Sequence, residues 1–295
     1  MTPDTANIAC RFAFDAASLF LWGSAAYLWL LVPEGLRGSL WARLGPWRIA
    51  AVALAVTATL ALLPVRCAML GNGWADGLDR AIMAAVLTGT SIGAAWAWQA
   101  GSAALLLAVT LLPLRQKPAA TAIAGALMLC GLALTGHAAM NDGWLRLLQG
   151  GNDVLHVLAG GAWVGALVPV ALVLARLGDA AVAGEARTAL IRFSAAGHVA
   201  VALVILSGAA NGLLIIGGLP LDWSVAYQRL LCLKMALALL MVLIALSNRY
   251  GLVARIGRSR RAASALLAGT VAEIVLALGI VALVAWFGTL EPVAG

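Results

Sequence analysis

Three histidines are the first candidates for chemistry, because they are the only imidazoles in a chain of 295 residues with few charged side chains. Met140 follows His137 at i+3, and Asp153 precedes His156 at i−3, so each pair shares a face of any helix that contains it. Imidazole together with thioether suits copper among the first-row metals, whereas magnesium or calcium would need more oxygen ligands. The pattern favours a metal site that contains His137, His156, Met140 and Asp153.

Each of these residues also has an ordinary structural interpretation. Asp153 can be the N-cap of a helix that begins after it, and we favour this cap over metal ligation. The two histidines can be polar residues at the membrane interface. Met69 lies at the end of an apolar segment and could add a thioether ligand, although packing is its more common role.

The third histidine, His198, lies inside an apolar segment at about the same predicted depth as Glu273. Ionisable side chains are costly inside a membrane, so this pair is a candidate intramembrane proton or ion relay. The alternative is a buried histidine that bonds to a backbone carbonyl or a hydroxyl group.

The elements that position these residues are predicted to be membrane-spanning helices. Hydrophobic residues make up 63% of the chain, charged residues only 11%, and the mean hydropathy is +1.00. At about 20 residues per crossing, we predict an all-α, polytopic transmembrane bundle of about eight helices forming one domain, 1–295. The predicted spans are 9–32, 48–70, 84–113, 118–139, 153–175, 190–217, 229–248 and 263–288. The third is too long for one simple span, and we expect a break near 88–93.

Charge distribution predicts the orientation. The loops after the first, third, fifth and seventh predicted spans carry thirteen Arg or Lys residues, and the opposite side carries five. The positive-inside rule then places both termini in the periplasm. These basic residues form no patch interleaved with aromatic residues, so we expect no nucleic-acid partner. The sequence also lacks a phosphate-binding loop for ATP, and we expect no enzymatic activity.

Several short motifs resemble, in order and spacing, the copper resistance protein D (CopD) family of bacterial inner-membrane proteins. The similarity is strongest over 136–255. The motifs are Gly136-His137-Ala138, Asp153-x-x-His156, Ala162-Trp163-Val164-Gly165, Arg192-Phe193-Ser194, Ser207-Gly208 with Asn211, Tyr227-x-Arg229-Leu230-Leu231 with Lys234, and Asn248-Arg249.

This resemblance implies a multi-pass protein of the bacterial inner membrane that moves copper ions across the bilayer. It also implies a small periplasmic copper-binding partner of the CopC type, and it makes His137 and His156 the leading candidates for the copper site. Two other functions stay open at this point. Paired histidines on neighbouring helices can hold a b-type haem in an electron carrier, and the chain could instead deliver copper during protein assembly without transporting it.

Overall fold

The computed structural model describes residues 1–134, 143–252 and 260–292. In these ranges the chain consists of helices joined by loops, without strands. The helices are α1 Pro3–Leu30, α2 Glu34–Arg43, α3 Gly45–Leu70, α4 Trp74–Gly77, α5 Arg80–Gly89, α6 Ser91–Leu111, α7 Lys117–Cys130, α8 Gly143–Val164, α9 Leu167–Leu174, α10 Ala183–Ile216, α11 Ala226–Leu246 and α12 Arg260–Phe287. A 3₁₀ turn, Gly131–Leu134, extends α7, and a π-helical turn, Ser247–Leu252, extends α11. The predicted all-α membrane bundle is confirmed.

Seven helical segments within the described ranges are long and apolar enough to cross a membrane. They are Gly45–Leu70, Ser91–Leu111, Lys117–Leu134, Gly143–Leu174, Ala183–Ile216, Ala226–Gly251 and Ser264–Phe287. The first predicted span corresponds to α1, which is not among the seven and which carries Asp4, Arg11 and Asp15. With 28 residues it is about 42 Å long, enough to cross a bilayer. Together with α1, these ranges contain the eight long helices that the sequence predicts.

Helix α1 lies at the centre of the bundle, where it packs against α3, α7, α8 and α12. Its approach to α8 requires glycine on both helices. A Cβ atom on Gly23 would lie 2.7 Å from the Cα of Gly165 and would also collide with the carbonyl oxygen of Gly161. Beside this contact, the Trp22 indole donates a hydrogen bond to the Leu158 carbonyl at 2.9 Å. The two helices are therefore fixed against one another at backbone distance.

The expected break in the third predicted span is present between α5 and α6. Thr90 adopts extended dihedrals, φ −130° and ψ 155°, and its hydroxyl accepts a hydrogen bond from the backbone N–H of Gly93 at 3.1 Å. This is N-cap geometry, which satisfies one of the free N–H groups at the start of a helix. The short α5 is thus separate from the membrane-spanning α6.

The predicted start of the fifth span at residue 153 is wrong, because α8 begins at Gly143. Asn152 and Asp153 therefore lie inside the helix, and neither is its N-cap. The residues before them, including Trp144 and Leu147, continue the apolar helical pattern through Gly150 and Gly151. The sequence pattern instead favoured Asp153 as the N-cap of a helix beginning after it. The structure places His156 about four turns inside the helix instead of near its end.

Candidate functional site

The imidazole of His156 lies between α8 and α10 and is held there by a serine. Its Nδ1 is 2.9 Å from the hydroxyl oxygen of Ser207, and that hydroxyl donates its own proton to the carbonyl of Leu203, one turn earlier on α10. Because the serine proton is already used, Nδ1 is the donor in the first contact and Nε2 carries the free lone pair. The ring also hydrogen-bonds the backbone of Val204, one turn before Gly208 on α10. A neutral imidazole in this tautomer is ready to bind a metal ion through Nε2.

Neighbouring polar side chains complete what we call the His156 cluster. Asn152 donates from Nδ2 to the Ser207 carbonyl at 2.8 Å and to the side-chain oxygen of Asn211 at 2.6 Å. Asn211 in turn hydrogen-bonds Asp153, whose carboxylate also interacts electrostatically with the Lys234 ammonium of α11. The cluster consists of Asn152, Asp153, His156, Ser207, Asn211 and Lys234.

Lys234, a basic residue inside a predicted span, lies in the His156 cluster, where it interacts electrostatically with Asp153. Burying a lone carboxylate or ammonium group is costly, and pairing the two reduces that cost.

Gly208 leaves the space that the His156 ring occupies. A Cβ atom at this position would lie 3.2 Å from Cε1 of His156, closer than ordinary van der Waals contact. One turn later on the same helix, a Cβ on Gly212 would meet nothing within 4 Å. The Ser-Gly pair at 207–208 therefore both holds the imidazole and makes room for it.

The loop between α10 and α11 follows the end of α10 that carries Ser207 and Asn211. In this loop, the hydroxyl and the backbone N–H of Ser224 donate to Asp222, and these hydrogen bonds hold the pKa of that carboxyl below its usual range. Gln228 accepts a hydrogen bond from the Asp222 backbone N–H at 2.9 Å, which ties the loop to the start of α11. A hydrogen-bonded carboxylate thus lies at this end of the two helices.

The other predicted metal ligands are not assembled around His156 in the described residues. His137 and Met140 lie outside the described ranges. Met69 is 39% exposed on α3, which packs against α1, α4, α5 and α6, whereas α8 packs against α1, α7 and α10. Helix α1 therefore stands between Met69 and His156. The described ranges contain no group of three or more His, Cys, Asp or Glu residues that could hold a metal ion.

The second predicted pair, His198 and Glu273, lines one cavity of about 290 Å³ but forms no direct hydrogen bond. His198 Nδ1 contacts the Ser194 carbonyl at 2.7 Å, and its Nε2 is 3.1 Å from the Tyr250 hydroxyl. Glu273 Oε1 accepts a hydrogen bond from Asn248 Nδ2 at 2.8 Å. Tyr250 and Asn248 both belong to the π-helical turn Ser247–Leu252, so this turn links His198 to Glu273.

The His156 cluster and this cavity lie at different depths along the same helices. Trp163 is seven residues after His156 on α8, which is two turns along the same face. Met241 has the same relation to Lys234 on α11. Trp163, Leu167, Met241 and Ala277 pack together as an apolar layer between the two polar regions.

The sequence-based candidate residues did not include the hydrogen-bonding partners at either site, although several of those partners belong to the motifs given above. Asn152, Ser207, Asn211 and Asn248 are all amide or hydroxyl side chains within long apolar segments. Such side chains usually bond across helices in membrane proteins, and this signal could have identified them. What the sequence did not reveal was which helices they join.

The family model described as copper resistance protein D-like, N-terminal domain, matches residues 1–147, and the model described as copper resistance protein D matches 187–287. The inner membrane protein YebZ of Escherichia coli (strain K12) is 34% identical over 97% of this chain and 98% of its own length. Copper resistance protein D of Pseudomonas syringae pv. tomato is 30% identical over 98% of this chain and 97% of its own length.

A partial relative is the copper transport protein CutJ of Bacillus subtilis (strain 168), which is 30% identical over 66% of this chain and 37% of its own length. No solved structure matches the chain. The near full-length relatives and the two family models agree with the membrane-spanning helices described above. The chain therefore belongs to the copper resistance protein D family and is a multi-pass protein of the bacterial inner membrane.

Proposed function

We propose that this chain moves copper ions across the inner membrane and that the Nε2 atom of His156 receives the ion. The observation that carries the proposal is the fixed orientation of His156, whose Nδ1 is bound to Ser207 while the serine proton goes to the Leu203 carbonyl. Hydrogen bonding of the second ring nitrogen is how proteins usually orient a metal-binding histidine. Family membership supplies the metal, since relatives are named for copper resistance and copper transport.

His156 alone is not a copper site, so further ligands are part of the proposal. We assign them to His137 and Met140, which follow the 3₁₀ turn that ends at Leu134 and precede the start of α8. Leu129 of α7 lies near Gly161 of the antiparallel α8, so Leu134 and His156, five residues from each, stand at similar depths. Asp153 then acts through Lys234 and Asn211, and not as the central ligand.

The direction that we propose is from the periplasm inward. On the topology predicted from charge, the His156 cluster lies toward the periplasmic side, and the cavity with Glu273 lies toward the cytoplasmic side. A soluble periplasmic copper-binding protein of the CopC type would supply the ion. The chain itself transports the ion without catalysing a reaction.

The experiment that tests the site is copper analysis of purified variants. We expect His156→Ala to lose bound copper, His137→Ala to lose it as well, and the double variant to lose no more than either alone if both ligate one ion. His198→Gln is the matched control, because His198 has both ring nitrogens engaged elsewhere. Unchanged copper content in His156→Ala would overturn the assignment.

Transport itself is measured by copper uptake into vesicles that contain only this protein. Uptake that disappears in His156→Ala supports the proposal. Bound copper without any uptake would indicate a protein that delivers copper without transporting it. An absorption spectrum with a Soret band would instead identify a b-type haem carrier.

A further inference from the structure

The carboxyl group of Glu273 has no role in the copper site described above. It lies in the middle of α12 and is only 4% exposed. Its hydrogen-bond donors are the side-chain amide of Asn248, at 2.8 Å, and the indole of Trp163. Both donors are neutral, so they stabilise the carboxylate form without supplying a positive charge.

Glu273 forms no ion pair with any residue in 1–134, 143–252 or 260–292. An ionised carboxylate is costly in an apolar setting unless it is paired. Two opposing effects therefore act on this group, because burial favours the neutral acid and the two donors favour the anion. A carboxyl balanced in this way can take up and release a proton.

Titratable and charged groups on the surrounding helices are engaged elsewhere. On the packed elements and on α10 they include His198 of α10, Arg249 and Tyr250 of the π-helical turn, Lys234 of α11, Asp153 and His156 of α8, and Arg11, Asp15 and Tyr27 of α1. The others on these helices are Asp4 and Cys10 of α1, Arg146 of α8, Glu185, Arg187 and Arg192 of α10, and Tyr227, Arg229 and Cys232 of α11. Lys234 and Asp153 interact with each other, and Arg11 donates to the carbonyl of Gly288, at the far end of α12. Tyr27 packs edge-on against Phe193, and Asp15 interacts with Arg11. Among the described residues, His198, Arg249 and Tyr250 belong to the immediate surroundings of Glu273.

The cavity gives Glu273 a route for protons. Its volume of about 290 Å³ exceeds that of several water molecules at about 30 Å³ each. Glu273, Asn248, Thr270 and Ser194 contribute polar atoms to the lining, and His198 is its exposed imidazole. Water in this space would connect the carboxyl to the His198 imidazole.

Glycine at position 269 preserves the geometry of this site. A Cβ atom there would lie 2.6 Å from the Asn248 side-chain nitrogen and would displace the amide that binds Glu273. Gly269 is one turn before Glu273 on the same face of α12. The π-helical turn supplies the other half of the arrangement, since it carries Asn248 toward Glu273 and Tyr250 toward His198. Such π-helical turns occur frequently at functional sites.

We propose that Glu273 is an intramembrane proton-binding site, which gains and loses its proton through this cavity by way of His198. The proton binds a carboxyl oxygen and leaves as a hydrated proton, with no other bond made or broken. This inference does not depend on copper binding at His156. It adds a proton site on the cytoplasmic side of the apolar layer to a protein whose proposed cargo is a cation.

Modification by dicyclohexylcarbodiimide tests the proposal, because this reagent enters membranes and reacts with the protonated form of a carboxyl group. The full chain is treated without copper at a series of pH values, and the modified fraction of Glu273 is measured by peptide mass spectrometry. We expect modification at low pH that falls about tenfold for each pH unit above the midpoint. Asp222, an exposed loop carboxyl whose pKa its Ser224 hydrogen bonds hold below the usual range, is the internal control and should react far less.

Two variants separate proton binding from a purely structural carboxyl. Asn248→Leu removes a donor to the anion, so the modification curve should move to higher pH. His198→Gln should leave the midpoint unchanged but slow the appearance of the carboxylic-acid infrared band after a downward pH jump. The Glu273→Gln variant identifies that band by its absence.

The proposal is overturned if Glu273 is unreactive and the acid band is missing at every pH. A band that persists unchanged across the whole pH range would also overturn it, because the group would then be a permanent structural acid. An equal rate of band formation in His198→Gln would remove His198 from the route. Copper content is not part of any of these measurements, so their outcome is independent of the copper site.

Discussion

At the scale of single residues, the position of one proton determines what His156 can do. Ser207 donates to Leu203 and so directs the imidazole to donate from Nδ1, which leaves Nε2 as the atom that we propose binds the metal. The neighbouring glycine is equally necessary, because the ring fills the volume that a side chain at position 208 would occupy. In this membrane helix, Ser207 thus holds the imidazole and Gly208 leaves room for it.

Replacement of Gly208 by alanine should weaken copper binding. The added Cβ would lie 3.2 Å from Cε1 of His156, so the ring has to rotate away from Ser207. Disturbing the support of a metal ligand typically lowers affinity about 10–100-fold, and we expect a loss in this range. The measurement is a copper titration of the purified protein.

Gly212→Ala is the matched control for this substitution. It makes the same change on the same helix, but its Cβ would have no neighbour within 4 Å. Copper affinity should stay that of the unmodified protein. Equal losses in both variants would show that the effect comes from α10 as a whole and not from contact with His156.

At the scale of elements, the central contact is the backbone approach of α1 to α8. Gly23 on α1 faces Gly161 and Gly165 on α8, and the Trp22 indole reaches the Leu158 carbonyl beside them. Small residues allow membrane helices to approach closely, and the close packing supplies the attraction that burial from water cannot supply there. Because His156 is on α8, this contact also determines the position of the candidate site relative to the first half of the chain.

The Gly23→Ala variant should be less stable, because its Cβ would lie 2.7 Å from a backbone atom that no rotamer change can move. Overpacking of this kind usually costs about 1–3 kcal/mol. Gly101→Ala on α6 is the control, since a Cβ there meets nothing within 4 Å. Thermal unfolding in detergent should show a lower midpoint for Gly23→Ala alone, and equal midpoints would argue against a tight α1–α8 contact.

At the scale of the whole molecule, α8, α10, α11 and α12 hold two polar regions separated by an apolar layer. The His156 cluster is on one side of Trp163 and Met241, and the Glu273 cavity is on the other. The two sites that we propose, one on each side of this layer, fit the alternating-access arrangement of secondary transporters.

The charge distribution predicts how the molecule is oriented in the membrane. The thirteen basic residues on one side against five on the other predict that both termini face the periplasm. Alkaline phosphatase fused after residue 292 should then be active in cells. A cytoplasmic reporter such as green fluorescent protein at the same position should not fluoresce. The opposite result would invert the proposed direction from the His156 cluster to the Glu273 cavity.

The class of the fold and most of its helices are predictable from the sequence alone. Apolar runs of about 20 residues leave few alternatives in a chain with so few charges, because a membrane helix satisfies its own backbone hydrogen bonds. The sequence also marks His156, His198 and Glu273 as candidate functional residues, since ionisable groups are rare in such segments. The break at Thr90 was predictable from a cluster of weak helix formers around it.

The tertiary structure decided what those residues contact. Asn152 and Asp153 resembled a helix cap, yet α8 continues through them because their side chains find partners on α10 and α11. Lys234 resembled a surface residue until its helix was placed beside Asp153. His198 and Glu273 were a candidate relay, with a histidine bonded to a carbonyl or hydroxyl as the alternative; the contacts of His198 with the Ser194 carbonyl and the Tyr250 hydroxyl match that alternative. The π-helical turn that carries Tyr250 also carries Asn248, the partner of Glu273. Local pattern fixes which face of a helix a residue occupies, whereas only the packing of helices distant in sequence determines what that face meets.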